Sequence, residues 1–250
     1  MALQRITHFL KRLLGRREPP SSAPRDLKLI LFDFDGTLAD TFEAGFRIFQ
    51  ELAPEWGCRT IDRSELPALR TMRPLELMRF LNLPLKKIAP MARRWSAELQ
   101  KQIDDIAPFP GTKETLHQLT TAGFRLGILT SNTQANVCRF LANHDMEAFE
   151  FIRGSSRFLG KAREIRSLLK KHRLHPTEVM LVGDETRDIE AARQAGIPVT
   201  AVSWGYANRS ALADLQPDLL VDTPTELLTA LQLWASHQTV TDMTDLKEES

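Results

Sequence analysis

Residues 29–37 of this 250-residue chain read LILFDFDGT, an apolar run followed at once by two aspartates. Four consecutive apolar residues bounded by polar ones are typical of a strand buried on both faces of a parallel sheet. Asp33 and Asp35 leave this strand two positions apart, so we expect their side chains to point to the same side. Two buried carboxylates require a cation, because each costs free energy when it leaves water. The alternative is an ordinary surface turn, since Asp-Gly is a common turn pair.

Similar apolar runs recur along the chain, at residues 124–129, 179–182, 198–202 and 219–221. Helical periodicity fills the segments between and after them, at residues 113–122, 134–142, 162–172, 189–195 and 224–234. Strand–helix alternation at this spacing predicts an α/β fold with a doubly wound parallel sheet. Ligands of such sheets bind beyond the carboxyl ends of the strands, so functional residues are expected directly after each apolar run.

Residues 42–107 interrupt the alternation, because they show helical patterns and no convincing strand. Prolines divide these patterns, at Pro54, Pro67, Pro74, Pro84 and Pro90. Pro74 and Pro84 are placed like first-turn prolines, which a helix tolerates. A segment of this length is too long for a loop. We therefore predict an all-helical subdomain inserted into an α/β core that comprises residues 26–41 and 108–236.

Three polar clusters follow the other strands or open a helix. Thr130-Ser131-Asn132 offers hydroxyls and helix-start amides to a phosphate, although such residues are also ordinary helix caps. Lys161 begins a helix, where it opposes the helix dipole, although it could equally be a solvated surface lysine. Residues 183–188 read GDETRD, and their acids would repel one another without a cation, although acids also suit helix starts. Together these groups would converge on one crevice suited to Mg²⁺.

The combined pattern resembles the four motifs of haloacid dehalogenase-type phosphatases, over residues 28–230. The matching positions are Asp33, Phe34, Asp35, Gly36, Thr37, Thr130, Lys161, Gly183, Asp184 and Asp188. The position of the helical segment, between the first and second motifs, resembles the helical cap of that family. Phe109-Pro110-Gly111 and Ser203-Trp204-Gly205-Tyr206 are similar to phosphoglycolate phosphatase-like members.

The resemblance implies a Mg²⁺-dependent enzyme that hydrolyses a small phosphate monoester through an aspartyl-phosphate intermediate. Asp33 would be the nucleophile, and Asp35 would act as general acid and then general base. Mg²⁺ would be held by the side chains of Asp33 and Asp184 and by the backbone carbonyl of Asp35. Thr130 would bind a phosphate oxygen, and Lys161 would neutralise negative charge on the phosphate and the nucleophile.

The remaining candidate positions support these groups. Gly36, Ser131 and Asn132 would bind the phosphate of the substrate. Glu185 and Asp188 would orient the lysine or a metal-bound water, and whether Glu185 touches the metal stays open.

Substrate selection is expected in the helical segment, where Arg70 and Arg73 precede a helix start. Two arginines three positions apart could clamp a carboxylate, which would fit 2-phosphoglycolate. The alternative is a solvated basic turn.

Three other functions use the same sequence features. A sugar-phosphate phosphomutase shares all four motifs. A catalytically silent binding module would keep the fold, and a membrane-recruited phosphatase would add the basic N-terminal segment to it. A hydrolytic dehalogenase is disfavoured, because its chemistry has no need of Asp35 or of a metal.

Composition narrows the choice of partners and compartment. The 33 basic and 32 acidic residues give a net charge of +1 and no overall bias toward nucleic acid, so we expect a small phosphorylated metabolite instead. Cys58 and Cys138 have no metal-type spacing, which favours a reducing compartment. No apolar run is long enough to span a bilayer. We predict a cytoplasmic protein, and the oligomeric state stays open.

The two ends of the chain differ from the rest. Residues 1–25 carry six basic residues and one acid, an apolar stripe at helical spacing, and a linker rich in proline and serine. They are interpreted as a self-packed extension, as an amphipathic helix with weak contact to an acidic membrane surface, or as a cleaved presequence. Residues 237–250 are interpreted as an acidic, disordered tail.

Overall fold

The computed structural model describes residues 26–154 and 160–236, and one six-stranded sheet forms its centre. The strands are β1 (Leu29–Phe32), β2 (Arg125–Thr130), β3 (Phe151–Gly154), β4 (Val179–Gly183), β5 (Val199–Val202) and β6 (Leu219–Val221). Their order is β3-β2-β1-β4-β5-β6, and every neighbouring pair is parallel. The strand that leads to the two aspartates therefore lies between β2 and β4, in the interior of the sheet.

Helices connect the strands. They are α1 (Phe42–Trp56), α2 (Leu66–Leu69), α3 (Pro74–Phe80), α4 (Leu85–Gln102), α5 (Thr112–Thr121), α6 (Gln134–Asn143), α7 (Lys161–His172), α8 (Thr186–Ala195), α9 (Arg209–Asp214) and α10 (Pro224–Ala235). Three short 3₁₀ turns accompany them, at Arg63–Glu65, Ile103–Asp105 and Pro176–Glu178. The predicted α/β fold with a doubly wound parallel sheet is confirmed.

The side chains of β1 alternate between two apolar cores, one on each face of the sheet. Ile30 and Phe32 belong to one core, whereas Leu29 and Leu31 belong to the other, and all four are buried. Burying a side chain of this size contributes about 1.5–3 kcal/mol. Because both faces hold the strand, the residues that follow Phe32 leave it from a fixed position.

β3 is a strand that the sequence analysis missed. Phe151 and Ile152 are followed by Arg153 and Gly154, and the strand is half-buried at the edge of the sheet, so it lacks a continuous apolar run. Its place depends on packing against β2, where Gly127 leaves room for the ring of Phe151. A Cβ at Gly127 would lie 2.5 Å from that ring.

Residues 42–107, here called the helical insertion, contain helices α1–α4 and two of the 3₁₀ turns. The backbone of this range is described throughout and contains no strand, and α1 packs against α4. Pro74 is the first residue of α3 and Pro84 directly precedes α4, whereas Pro54 and Pro90 lie inside α1 and α4 without ending them. The boundaries of a separate subdomain stay a prediction.

The basic N-terminal segment and the acidic tail lie outside the described residues. Among the residues that are described, no helix is both long and apolar enough to cross a membrane.

Candidate active site

The polar residues expected at the strand ends meet at one edge of the sheet. Asp33 follows β1, Thr130 ends β2, Asp184 follows β4, and all three are buried. The backbone N–H of Asp33 donates to the carbonyl oxygen of Val182 over 2.8 Å, which extends the pairing of β1 with β4. Lys161, the first residue of α7, reaches the same place. The topology therefore brings residues 33, 130, 161 and 184 together.

Asp33 is oriented by two donors. The ammonium of Lys161 lies 2.7 Å from its Oδ2, and the backbone N–H of Phe34 donates to its Oδ1 over 2.8 Å. Burial raises the pKa of Asp33, while the nearby Lys161 opposes that rise. Lys161 also lies 2.5 Å from Oδ1 of Asp188. Burial works against the charge of Lys161, but Asp188 and Asp33 outweigh it and raise the lysine pKa. The lysine therefore stays charged and favours ionised Asp33.

Asp35 has a different environment. Burial raises its pKa to about 7, and the charge of Asp33 adds to the rise. The side-chain amide of Asn132 donates to both carboxylate oxygens, over 3.1 and 3.2 Å, and opposes the rise. A carboxyl group with a pKa close to 7 exchanges its proton near neutral pH, which is what a general acid and base requires.

Asp184 is held through both of its oxygens. The hydroxyl of Thr37 donates to Oδ1 over 2.7 Å, and the backbone N–H of Tyr206 donates to Oδ2 over 2.7 Å. Burial raises the pKa of Asp184 well above its usual value, and neighbouring acids add to the rise. The sequence analysis gives Thr37 no role of its own, although its place in the first motif is a signal that could have identified it.

The turn after β1 passes very close to Asp184. Gly36 has a φ of +78°, which side-chain-bearing residues rarely adopt. A Cβ at Gly36 would fall on the carboxylate of Asp184 and would lie 2.5 Å from the ring of Tyr206. Only glycine therefore fits between the two.

Three buried carboxylates form a group that fits a metal ion. Asp33, Asp184 and Asp188 each offer one oxygen, and these atoms lie within 4.8 Å of one another. Carboxylate oxygens are the ligands that Mg²⁺ prefers, and a divalent cation would offset the desolvation that raises the pKa of Asp33 and Asp184. The structure thus brings Asp33 and Asp184 together and adds Asp188, which the sequence analysis expected to orient the lysine and which lies against Lys161. Ligation of a metal by the backbone carbonyl of Asp35 stays a prediction.

Comparison with known proteins identifies the family. Residues 30–202 match the family model described as haloacid dehalogenase-like hydrolase. The chain belongs to this family. It is 36% identical to the phosphoglycolate phosphatase of Synechococcus elongatus, over 82% of this chain and 97% of the relative.

Solved structures agree with this result. The haloacid dehalogenase-like hydrolase SP0104 from Streptococcus pneumoniae is 26% identical, with a TM-score of 0.67, over 83% of this chain and 99% of that one. CbbY from Rhodobacter sphaeroides, solved in complex with phosphate, is 26% identical, with a TM-score of 0.64, over 83% of this chain and 100% of that one. The protein is a phosphatase of the haloacid dehalogenase type.

The second motif of this phosphatase lies at the end of β2, and phosphate binding by Thr130, Ser131 and Asn132 stays a prediction. Thr130 is buried, and its Oγ1 accepts a hydrogen bond of 3.0 Å from the backbone N–H of Asn132. Ser131 is exposed. The Asn132 side chain donates to Asp35, so in this structure it orients the candidate acid, whereas the sequence analysis expected it to bind substrate.

Arg187 belongs to the site of this phosphatase although the sequence analysis gave it no role. It forms an ion pair with Glu185, and both side chains are largely buried. Burial disfavours its charge, but Glu185, Asp188 and Asp33 outweigh this effect and raise the pKa of Arg187. Burial raises the pKa of Glu185, and Arg187 opposes that rise. Arg187 therefore balances part of the acidic charge. Its position inside the GDETRD motif is the only sequence signal.

The two arginines proposed to select the substrate do not act as a pair here. Arg70 donates from Nε to the carbonyl of Tyr206 over 2.9 Å and from Nη2 to the carbonyl of Gly205 over 2.5 Å. Arg73 is exposed and precedes α3, where its backbone N–H donates to Glu76 over 3.0 Å. Carboxylate binding by Arg70 and Arg73 stays a prediction, and these contacts do not favour it.

Proposed function

We propose that this phosphatase hydrolyses a small phosphate monoester through an aspartyl phosphate on Asp33, with Mg²⁺ as cofactor. The observation that carries the proposal is the contrast between Asp33 and Asp35. Asp33 is paired with a lysine, whereas Asp35 has a pKa of about 7 and faces an amide. Two carboxyl groups whose environments differ in this way divide the roles of nucleophile and acid.

In the first half of the reaction, a carboxylate oxygen of Asp33 attacks phosphorus and the bond to the leaving oxygen breaks. Protonated Asp35 gives its proton to that oxygen, so the oxygen leaves as a hydroxyl group and not as an alkoxide. Lys161 offsets the repulsion between the carboxylate and the phosphate.

In the second half, Asp35 is a carboxylate and takes a proton from water. The water oxygen attacks phosphorus, the bond to Asp33 breaks, and inorganic phosphate leaves. General acid–base catalysis contributes about 10²–10⁴-fold, whereas enzymatic hydrolysis of phosphate monoesters reaches accelerations of about 10²¹. Proton transfer by Asp35 therefore accounts for only a small part of the rate acceleration, and electrostatic stabilisation by the other groups must supply the larger part.

Several further groups would stabilise the negative charge of the phosphate in the proposed mechanism. Asp33, Asp184 and Asp188 would hold Mg²⁺, with the backbone carbonyl of Asp35 as a further candidate. When bound, the ion would supply positive charge that offsets the negative charge of the phosphate. Thr130 and the backbone amides near residues 36 and 131, which follow β1 and β2, would bind the phosphate oxygens, since ligands of such sheets lie beyond the carboxyl ends of the strands.

The proposed substrate is 2-phosphoglycolate. The Synechococcus relative, which carries that activity in its name, aligns over 97% of its own length. A panel of phosphorylated metabolites tests this choice, with p-nitrophenyl phosphate as a comparison that carries no carboxylate. We expect the enzyme to have its highest kcat/KM with 2-phosphoglycolate. We also expect its activity to require Mg²⁺. Equal rates across the panel would contradict the substrate assignment, and full activity after exhaustive chelation would contradict the metal assignment.

A further inference from the structure

Residues 203–208, here called the Tyr206 loop, lie against Asp184. The backbone N–H of Tyr206 donates to Oδ2 of Asp184 over 2.7 Å, and the N–H of Ala207 donates to the backbone carbonyl of Asp184 over 3.3 Å. A Cβ at Gly205 would fall on the Asp184 carboxylate, so the loop is in close contact with it. Movement of this loop away from Asp184 would lengthen the hydrogen bond from Tyr206 and weaken the orientation of the carboxylate.

The same loop is held from the other side by the helical insertion. Arg70, directly after α2, donates to the carbonyls of Gly205 and Tyr206, and its own carbonyl accepts from the N–H of Asn208 over 3.0 Å. One residue of the insertion therefore makes three hydrogen bonds to the loop. A guanidinium group presents its donors in a rigid fork, which fixes the relative position of the two carbonyls.

A second connection joins the loop to the point where the chain enters the insertion. The hydroxyl of Tyr206 lies 3.1 Å from Oγ1 of Thr41 and donates to the Thr41 carbonyl over 3.2 Å. The ring of Phe42 packs edge-on against Tyr206, with centroids 5.4 Å apart, and the Arg70 guanidinium lies 5.3 Å from the same Phe42 ring. Tyr206 thus contacts Asp184, the start of the insertion and Arg70.

We propose that Arg70 is a positioning residue that couples docking of the helical insertion to the orientation of Asp184. The inference rests on the proposed function, because Asp184 is one of the acids that would hold Mg²⁺. Coupling between two sites is reciprocal, so bound Mg²⁺ strengthens the docking of the insertion and docking strengthens Mg²⁺ binding.

Calorimetric titration of the full chain with Mg²⁺ tests the first half of this coupling. Removing the guanidinium in Arg70→Ala leaves two loop carbonyls without their donors, and we expect Mg²⁺ affinity about 5-fold weaker or more, the lower end of ordinary coupling. Arg70→Lys should restore part of the affinity, since an ammonium can donate without the fork. Arg79→Ala removes an exposed arginine of the same insertion and should leave affinity unchanged.

Hydrogen exchange tests the second half. Mg²⁺ should slow amide exchange in residues 66–80 of the wild type and of Arg79→Ala, and should have a smaller effect in Arg70→Ala. If Arg70→Ala has the Mg²⁺ affinity of the wild type and the same effect of Mg²⁺ on amide exchange, the inference about Arg70 is wrong but the proposed function is unaffected. A wild-type protein that does not bind Mg²⁺ would overturn the proposed function as well. If the alanine variant does not fold, the same comparison with Arg70→Gln decides.

Discussion

Ionised Asp35 should destabilise the folded protein near neutral pH, where Asp35 is proposed to transfer a proton. Burial and the charge of Asp33 raise the pKa of the Asp35 carboxyl group to about 7. The variant Asp35→Asn carries a neutral amide of nearly the same shape at this position. The variant should lose nearly all turnover, because the proposed mechanism needs a proton from this position. We also expect it to be more stable than the wild type at high pH.

The magnitude follows from the pKa. One unit of pKa is worth about 1.4 kcal/mol, so a rise from 3.8 to about 7 corresponds to at most roughly 4 kcal/mol. The sign is set by the direction of the rise. When folding raises the pKa of a carboxyl group, the protonated group favours the folded state. This contribution is fully present below the pKa of the unfolded state and is lost as pH rises through the pKa of the folded state. The advantage of the variant should therefore grow between pH 4 and pH 7 and level off above.

Urea unfolding of both proteins in chelator, at several pH values from about 4 to 8, measures this difference. The other buried acids of the site are present in both proteins, so most of their contribution cancels. Asp35→Glu keeps an ionisable group at the position and serves as the matched control. A stability difference between variant and wild type that stays constant over this pH range would refute the reasoning.

Four further predictions concern the site. Asp33→Asn should keep the fold, and turnover above about a tenth of the wild-type rate would exclude Asp33 as the nucleophile, since lost nucleophiles cost orders of magnitude. Chelation should abolish activity and Mg²⁺ should restore it, whereas Ca²⁺ should restore little because it prefers more ligands and looser geometry. Asn132→Ala removes a donor that lowers the pKa of Asp35, so the alkaline decline of kcat/KM should move to higher pH. Thr37→Val removes the hydroxyl that donates to Asp184, so calorimetry should show weaker Mg²⁺ binding with little change in secondary structure by circular dichroism.

Most of the fold could be predicted because its signals are local. The buried strands β1, β2, β4, β5 and β6 are short apolar runs, and the predicted bounds lie within one residue of the observed ones. The edge strand β3 has half-buried residues and an arginine, so no such run marks it. Helices α1 and α4 continue through Pro54 and Pro90, although an internal proline usually costs about 3 kcal/mol. Leu52, Ala53 and Met91, which neighbour these prolines, are buried in the core and hold the helices in place.

The sequence alone established which residue types stand at the strand ends, because the acids and hydroxyls directly follow apolar runs and the lysine opens a helix. The hydrogen-bond partners of those residues depended on the folded backbone. Asn132 reaches Asp35 across 97 positions and Arg70 reaches Tyr206 across 136. Such pairs have no sequence signal, since their geometry arises from strand register and from the packing of the insertion on the core. The pKa of Asp35 is likewise a property of burial, which only the complete fold creates.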